Sequence, residues 1–166
     1  ILRNFISKII KDERIVNLIM LFVDTVKGIG LFVGNVLSQL FGLIYLSPLD
    51  HFVKRVLKIK HYIRYVDDFV LVGLEKSEAH ILKSKIESFL KDNLNLELSK
   101  FRIAKIKQGC NFVGFRTWKR VKFIRKHTLH NFSKAVKLQK EASIISILGH
   151  AKHSSSHKYL ISKLGA

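Results

Sequence analysis

Apolar residues recur along this chain with a spacing that switches from helical to strand-like and back. Ile1, Phe5 and Ile9, with Leu2, Ile6 and Ile10 beside them, repeat at helical spacing, and the pattern resumes at Ile15, Leu18, Ile19 and Phe22. This predicts one or two packed helices ending near Gly28, with Gly28-Ile29-Gly30 as a flexible connector. A second helical stretch runs from Asn35 to about Lys58. Ser47-Pro48-Leu49-Asp50 has the form of an N-cap followed by proline, so that helix is expected to kink or restart there. His61 to Val66 and Phe69 to Gly73 are rich in Val, Ile, Phe and Tyr and predict two strands of a tight hairpin. Ser77 can cap a third helix that places Leu82, Ile86, Phe89 and Leu90 on one face and closes near Asp92-Asn93. Leu94, Leu96 and Leu98 then alternate with Asn95 and Glu97, as in a half-buried strand. Asn111 to Thr117 and Val121 to Ile124 predict a further small hairpin. Past Arg125 the composition shifts to Lys, His and Ser, with short helices expected over 129–140, 142–148 and 156–164.

The 166 residues suffice for one domain with a core, or a domain plus a small appendage. Charge changes the picture more than length does. The formal net charge is +18, from 30 Lys and Arg against 12 Asp and Glu. Such a field favours polyanions, with nucleic acid as the first candidate and an anionic membrane surface as another. The single Cys110 excludes an internal disulfide and a cysteine-based zinc site, which fits a reducing cytoplasm. Arg3, Lys8, Lys11, Asp12, Glu13 and Arg14 interrupt the first apolar stretch, so no signal peptide is visible. The stretches Ile15–Val26 and Leu40–Leu49 are too short or too polar to span a bilayer, and no membrane partner is expected.

Against this basic background, Tyr65-Val66-Asp67-Asp68 stands out. The two adjacent carboxylates fall at or beside the predicted hairpin connection, on a rigid, exposed tip. Neighbouring anions repel, and a hard divalent cation with a preference for oxygen ligands offsets that repulsion. An ordinary Asp-Asp turn is the alternative, since Asp tolerates turn geometry. His150, His153 and His157 can be placed on one side of a helix, which raises zinc. Gly149 and Ser154–Ser156 disfavour a continuous helix there, and contact with phosphates or solvent is the better reading.

Taken in order, Gly30-Leu31-Phe32-Val33-Gly34-Asn35-Val36-Leu37-Ser38-Gln39, Tyr65-Val66-Asp67-Asp68, Leu96 to Lys100, and Asn111-Phe112-Val113-Gly114-Phe115 resemble the later palm motifs of reverse transcriptases. Val33-Gly34 followed by Ser38-Gln39 is similar to the pattern of diversity-generating retroelement enzymes and their bacterial relatives, and Leu148 to His153 resembles the thumb of that group. The resemblance implies an α+β fold: a partial palm over 1–124, with a ferredoxin-like antiparallel sheet and helices on one face, then a basic helical thumb over 125–166. It implies RNA-directed DNA polymerase activity, a two-metal nucleotidyl transfer of dNTPs onto a DNA or RNA primer end templated by RNA, with Mg²⁺ as cofactor. By the same resemblance Asp67 binds both metals and Asp68 is its weaker neighbour. Tyr65 lies beside the primer end, or simply packs in the hairpin. Gly34, Asn35, Ser38 and Gln39 face the nascent base pair, with Asn35 alternatively a helix cap and Gly34 there for backbone geometry. Lys100 neutralises or protonates departing pyrophosphate, and Arg116, Lys119, Arg120 and Lys152 touch the nucleic-acid backbone or form a solvated face. An accessory protein of a retroelement and a cytoplasmic, bacterial or phage setting follow from the same analogy.

The pattern is incomplete. The family needs a further aspartate on a strand that would precede the first helix here, and Asp24 is in the wrong context to replace it. The chain, opening on Ile1 in mid-pattern, is therefore expected to be a C-terminal portion that binds metal poorly and does not polymerise alone. Phe32 and Leu37 stand where relatives commonly carry Pro and Thr. Two other readings stay open: a non-catalytic, basic nucleic-acid-binding module descended from such an enzyme, and a maturase-like splicing cofactor, which the Ser38-Gln39 motif disfavours.

Overall fold

The computed structural model describes residues 1–24 and 36–164. Helices account for 60% of the structure and the strands segregate into two small antiparallel sheets, so the class is α+β. The chain divides into two compact units, Ile1–Phe101 and Arg102–Ala166. The palm and thumb boundary read from sequence at 124/125 falls within the second unit.

In the first unit, α1 (Leu2–Ile9) and α2 (Glu13–Asp24) realise the predicted helical pair. Ile6 of α1, Val16 of α2 and Phe41 of α3 (Val36–His51) form a small core of their own. Helix α3 continues through Pro48, where a kink or a restart was expected, without a restart. Pro48 withholds the N–H that would pair with the carbonyl of Ile44, but Leu49 and Val53 are fully buried on either side of Asp50, and their packing keeps the axis running. The irregularity comes later, as a π-helical turn over Phe52–Val56. Together they make Val36–Val56 a helical run of 21 residues with mean hydropathy 1.2, long and apolar enough to cross a membrane by length and composition. The shorter stretch read from sequence had failed that test.

The larger core gathers Leu49, Val53, Ile59, Leu82, Ile86, Leu90 and Leu94. Leu82 and Ile86 of helix α4 (Lys76–Phe89), with Leu90 just beyond its end, are buried in it as predicted, and Phe89, the fourth residue of that predicted face, is partly buried and stacks on Phe52 with centroids 4.2 Å apart. The helix begins one residue before Ser77: Glu75 is its N-cap residue, and the Glu75 N–H donates to the Glu78 carboxylate at 3.4 Å. The strand expected over Leu94–Leu98 does not form. A π-helical turn at Leu90–Leu94 ends on Asn95 in the left-handed region, and the Leu96 N–H is drawn back to the Leu90 carbonyl. Leu94, Leu96 and Leu98 still pack in or against the core, so the alternation marks burial without a ladder.

The second unit opens with a three-stranded meander, β3 (Cys110–Phe112), β4 (Phe115–Thr117) and β5 (Lys122–Ile124), in place of the single hairpin predicted. Val113 and Gly114 both have positive φ, as a two-residue type I′ connection requires. Helices α5 (Lys126–Lys137), α6 (Glu141–Ala151) and α7 (His157–Ser162) follow close to their predicted positions. Ile124, Phe132, Ala151 and Leu160 form their shared core, closed by the buried Ser156 hydroxyl, which accepts the Ile124 N–H at 3.1 Å.

Candidate functional site

Strands β1 (His61–Tyr65) and β2 (Asp68–Val72) pair in register, with Tyr65 opposite Asp68. The connection is therefore the two residues Val66 and Asp67. Tyr62 and Arg64, with their cross-strand partners Leu71 and Phe69, sit on the inner side of the pleat, whereas His61, Ile63 and Tyr65 alternate outward. Both aspartates are exposed, and no side-chain hydrogen bond or ion pair among the described residues engages either carboxylate. Tyr65 is 59% exposed beside them, so packing in the hairpin does not account for it. Val66 carries φ of +53° at the first loop position, a place that a II′ turn reserves for glycine and a β-branched residue occupies under strain. Strain of this kind persists only where the surroundings over-determine it.

Here the surroundings are a three-residue brace that the sequence reading did not find. Asp50, in the last turn of α3, accepts the Tyr62 hydroxyl at 2.8 Å and Arg64 Nε at 2.7 Å, and its second oxygen forms a close ion pair with Arg64 Nη2. The remaining Arg64 nitrogen, Nη1, donates to the Val66 carbonyl at 2.7 Å. One guanidinium thus ties helix, strand and turn together. Burial alone would raise the Asp50 pKa, but the hydrogen bonds from Arg64 and Tyr62 and the Arg64 charge outweigh it and hold the carboxyl below its usual range. Burial, reinforced by the Asp50 carboxylate, pushes the Tyr62 phenol well above its ordinary value, so it stays a donor. The available signal was Arg64 itself, a cation on the inward half of an alternating strand, which demands an acid partner.

Gly34 and Asn35 lie outside the described residues. Ser38, half-buried, and Gln39, exposed, fall in the first turn of α3. Helical rise separates them from Asp50 by about 17 Å. Lys100 is exposed on irregular backbone after the segment that failed to become a strand. Asp24 ends α2 and is exposed. Among the described residues no three His, Cys, Asp or Glu side chains converge, so no third such ligand stands beside Asp67 and Asp68. Exposed, unpaired carboxylate oxygens on a rigid turn fit a hard cation that keeps part of its water shell. A concavity near α1, lined by Asn4, Phe5, Lys8, Lys11 and Asn93, does not include them.

In the second unit Lys119 and Arg120 are the exposed two-residue tip of the β4–β5 hairpin, closed by the Trp118 N–H on the Val121 carbonyl at 2.8 Å. Arg116 is less free than expected. Its Nε and Nη2 both donate to the Gln108 carbonyl, at 2.9 and 2.6 Å, and its guanidinium lies over the Trp118 ring. Lys152 is exposed in the turn after α6. The His150 ring stacks on Phe115 with centroids 4.4 Å apart, and a Cβ on Gly114 would come within 2.9 Å of that ring. His157 begins α7 beyond a break in the helix. No family model matches the chain, and no curated protein does either.

Proposed function

We infer that this chain is the palm and thumb portion of an RNA-directed DNA polymerase of the diversity-generating retroelement type. The observation that carries the reading is the pair of unengaged carboxylates, Asp67 and Asp68, on a strained two-residue turn that Arg64 and Asp50 brace from behind. An acidic turn in a chain of net charge +18 has many lysines and arginines to pair with, yet both carboxylates stay open. In this reading Asp67 and Asp68 hold Mg²⁺, which when bound supplies charge stabilisation for nucleotidyl transfer. Tyr65, outward on the same strand end, packs against the primer terminus, while Gln39 and Ser38 approach the incoming dNTP and template base. Lys119, Arg120 and Lys152 contact the template–primer backbone, and Lys100 the departing pyrophosphate.

The test has two parts. The weak Mn²⁺ binding expected of the wild-type chain, followed by electron paramagnetic resonance at millimolar metal, should be lost in Asp67→Asn and further reduced in Asp68→Asn. RNA-templated primer extension with Mg²⁺, by the protein that contains this chain, should be abolished by Asp67→Ala. Extension that survives Asp67→Ala overturns the assignment. A non-catalytic nucleic-acid-binding module is the second reading, favoured by a donor set of only two carboxylates among the described residues. It predicts RNA binding that is indifferent to Asp67→Ala and no extension under any condition.

A further inference from the structure

The register of the meander sorts its residues onto two faces. Phe115 and Ile124 are cross-strand partners packed into the helical core, and so Arg116 and Phe123, the next pair along, lie on the opposite side. Phe123 is 40% exposed there, although it is a large aromatic residue in the middle of a strand. Trp118 meets it edge-on, with centroids 5.8 Å apart and planes at 81°. The indole is fixed in place: its N–H donates to the Lys107 carbonyl at 3.1 Å, and its six-membered ring fills the space over Gly109, where an added Cβ would lie 2.6 Å away. Arg116, tied to the Gln108 carbonyl, covers the indole at 5.2 Å.

Around these rings the charge is of one sign. No Asp or Glu occurs between Glu97 and Glu141, and Lys107, Lys119 and Arg120 are all exposed. We propose that the outer face of the β-meander is a stacking platform for an unpaired nucleobase of single-stranded nucleic acid. Phe123 offers the ring face, Trp118 and Arg116 hold it from the side, and Lys107, Lys119 and Arg120 take the flanking phosphates. A partly exposed aromatic ring accompanied by exposed cations matches a base between two phosphates, and stacking of this kind is indifferent to sequence. A membrane-anchoring tryptophan would keep its N–H for the headgroup region, whereas this one is spent on Lys107. The platform is independent of Asp67 and Asp68; it shares Lys119 and Arg120 with the backbone contacts proposed above and adds to them an aromatic site for an unpaired base.

The experiment uses the whole chain without Mg²⁺ or nucleotides. A fluorescein-labelled 12-mer of deoxythymidine is compared with a 12-mer of the same backbone lacking bases, by anisotropy at fixed salt. Wild type should bind the base-bearing strand about tenfold more tightly. Phe123→Leu should remove that preference while leaving the affinity for the abasic strand unchanged, and Phe123→Tyr should retain it. Lys119→Gln with Arg120→Gln should weaken both strands equally and flatten the salt dependence. Equal wild-type affinity for the two strands overturns the proposal, as does a Phe123→Leu variant that keeps the preference. Vesicles of phosphatidylcholine with one quarter phosphatidylserine that displace the 12-mer through Phe123 would assign the face to a membrane and overturn it too. Asp67→Ala should have no effect in this assay, so failure here and failure of the polymerase reading are separable.

Discussion

Replacing Arg64 with leucine tests the brace behind the carboxylates. The substitution keeps an apolar stem of similar reach on the inner face of β1 and removes all three nitrogen contacts at once. Two of them go to Asp50 and one to the Val66 carbonyl. Removing one partner of a fully buried ion pair costs about 3–5 kcal/mol because the other charge is stranded. Arg64 is 9% exposed but Asp50 is 33% exposed and keeps the Tyr62 hydroxyl, so water relieves part of that penalty. We expect about 2–3 kcal/mol, and for a unit of this size about 10–20 °C in its melting temperature. The assay is urea unfolding followed by far-UV circular dichroism, with Asp50→Asn and the double variant closing a cycle. A coupling energy of about 2 kcal/mol is expected between the two sites. Mn²⁺ affinity should fall in Arg64→Leu although both aspartates are intact, because the turn loses its anchor. A loss under about 0.5 kcal/mol, or additive single effects, would refute the argument that this pair sets the turn.

Asp50 makes a pH prediction of definite sign. Its folded pKa is depressed, so its contribution is complete above the unfolded carboxylate value of about 4 and is lost as pH falls through the lower folded value. Wild type should therefore shed stability below about pH 4, and Asp50→Asn should be flatter over that window; equal slopes would refute it. Val66→Gly should relieve the positive φ at the turn and raise stability by about 0.5–1 kcal/mol, read as a higher urea midpoint; a lower midpoint would mean the loop is unstrained. Gly114→Ala should cost about 2 kcal/mol or more, since φ is +81° and the new methyl meets the His150 ring at 2.9 Å. Adding His150→Ala should recover the steric share, and no recovery would place the whole cost in the backbone.

The hairpin and its two aspartates were legible because a period of two, bounded by a turn, leaves few alternatives. The face of α4 was legible for the corresponding helical reason. Alternation misled at Leu94–Leu98, where it reported which residues face the core but carried no information on a neighbouring strand to pair with. Pro48 misled in the other direction, since the burial of Leu49 and Val53 outweighs one missing hydrogen bond. The brace was missed because Asp50 and Arg64 come from elements of different type, 14 residues apart, and only their meeting in space explains a cation on an inward strand position. Likewise nothing in the sequence joins Phe123 and Trp118 to Arg116, which by sequence belongs to the nucleic-acid backbone contacts or a solvated face; the β4–β5 register sets Arg116 opposite Phe123.

The second unit holds one acidic residue, Glu141, against a long run of lysines and arginines. Its positive side chains repel one another across a small body, a tension that dissolved ions relax. Added electrolyte should then make the unit harder to unfold while it loosens the grip on any phosphate chain, two responses of opposite direction from one cause. A polyanion wrapped around the unit relieves the same tension from outside, so the bound form is also the sturdier one.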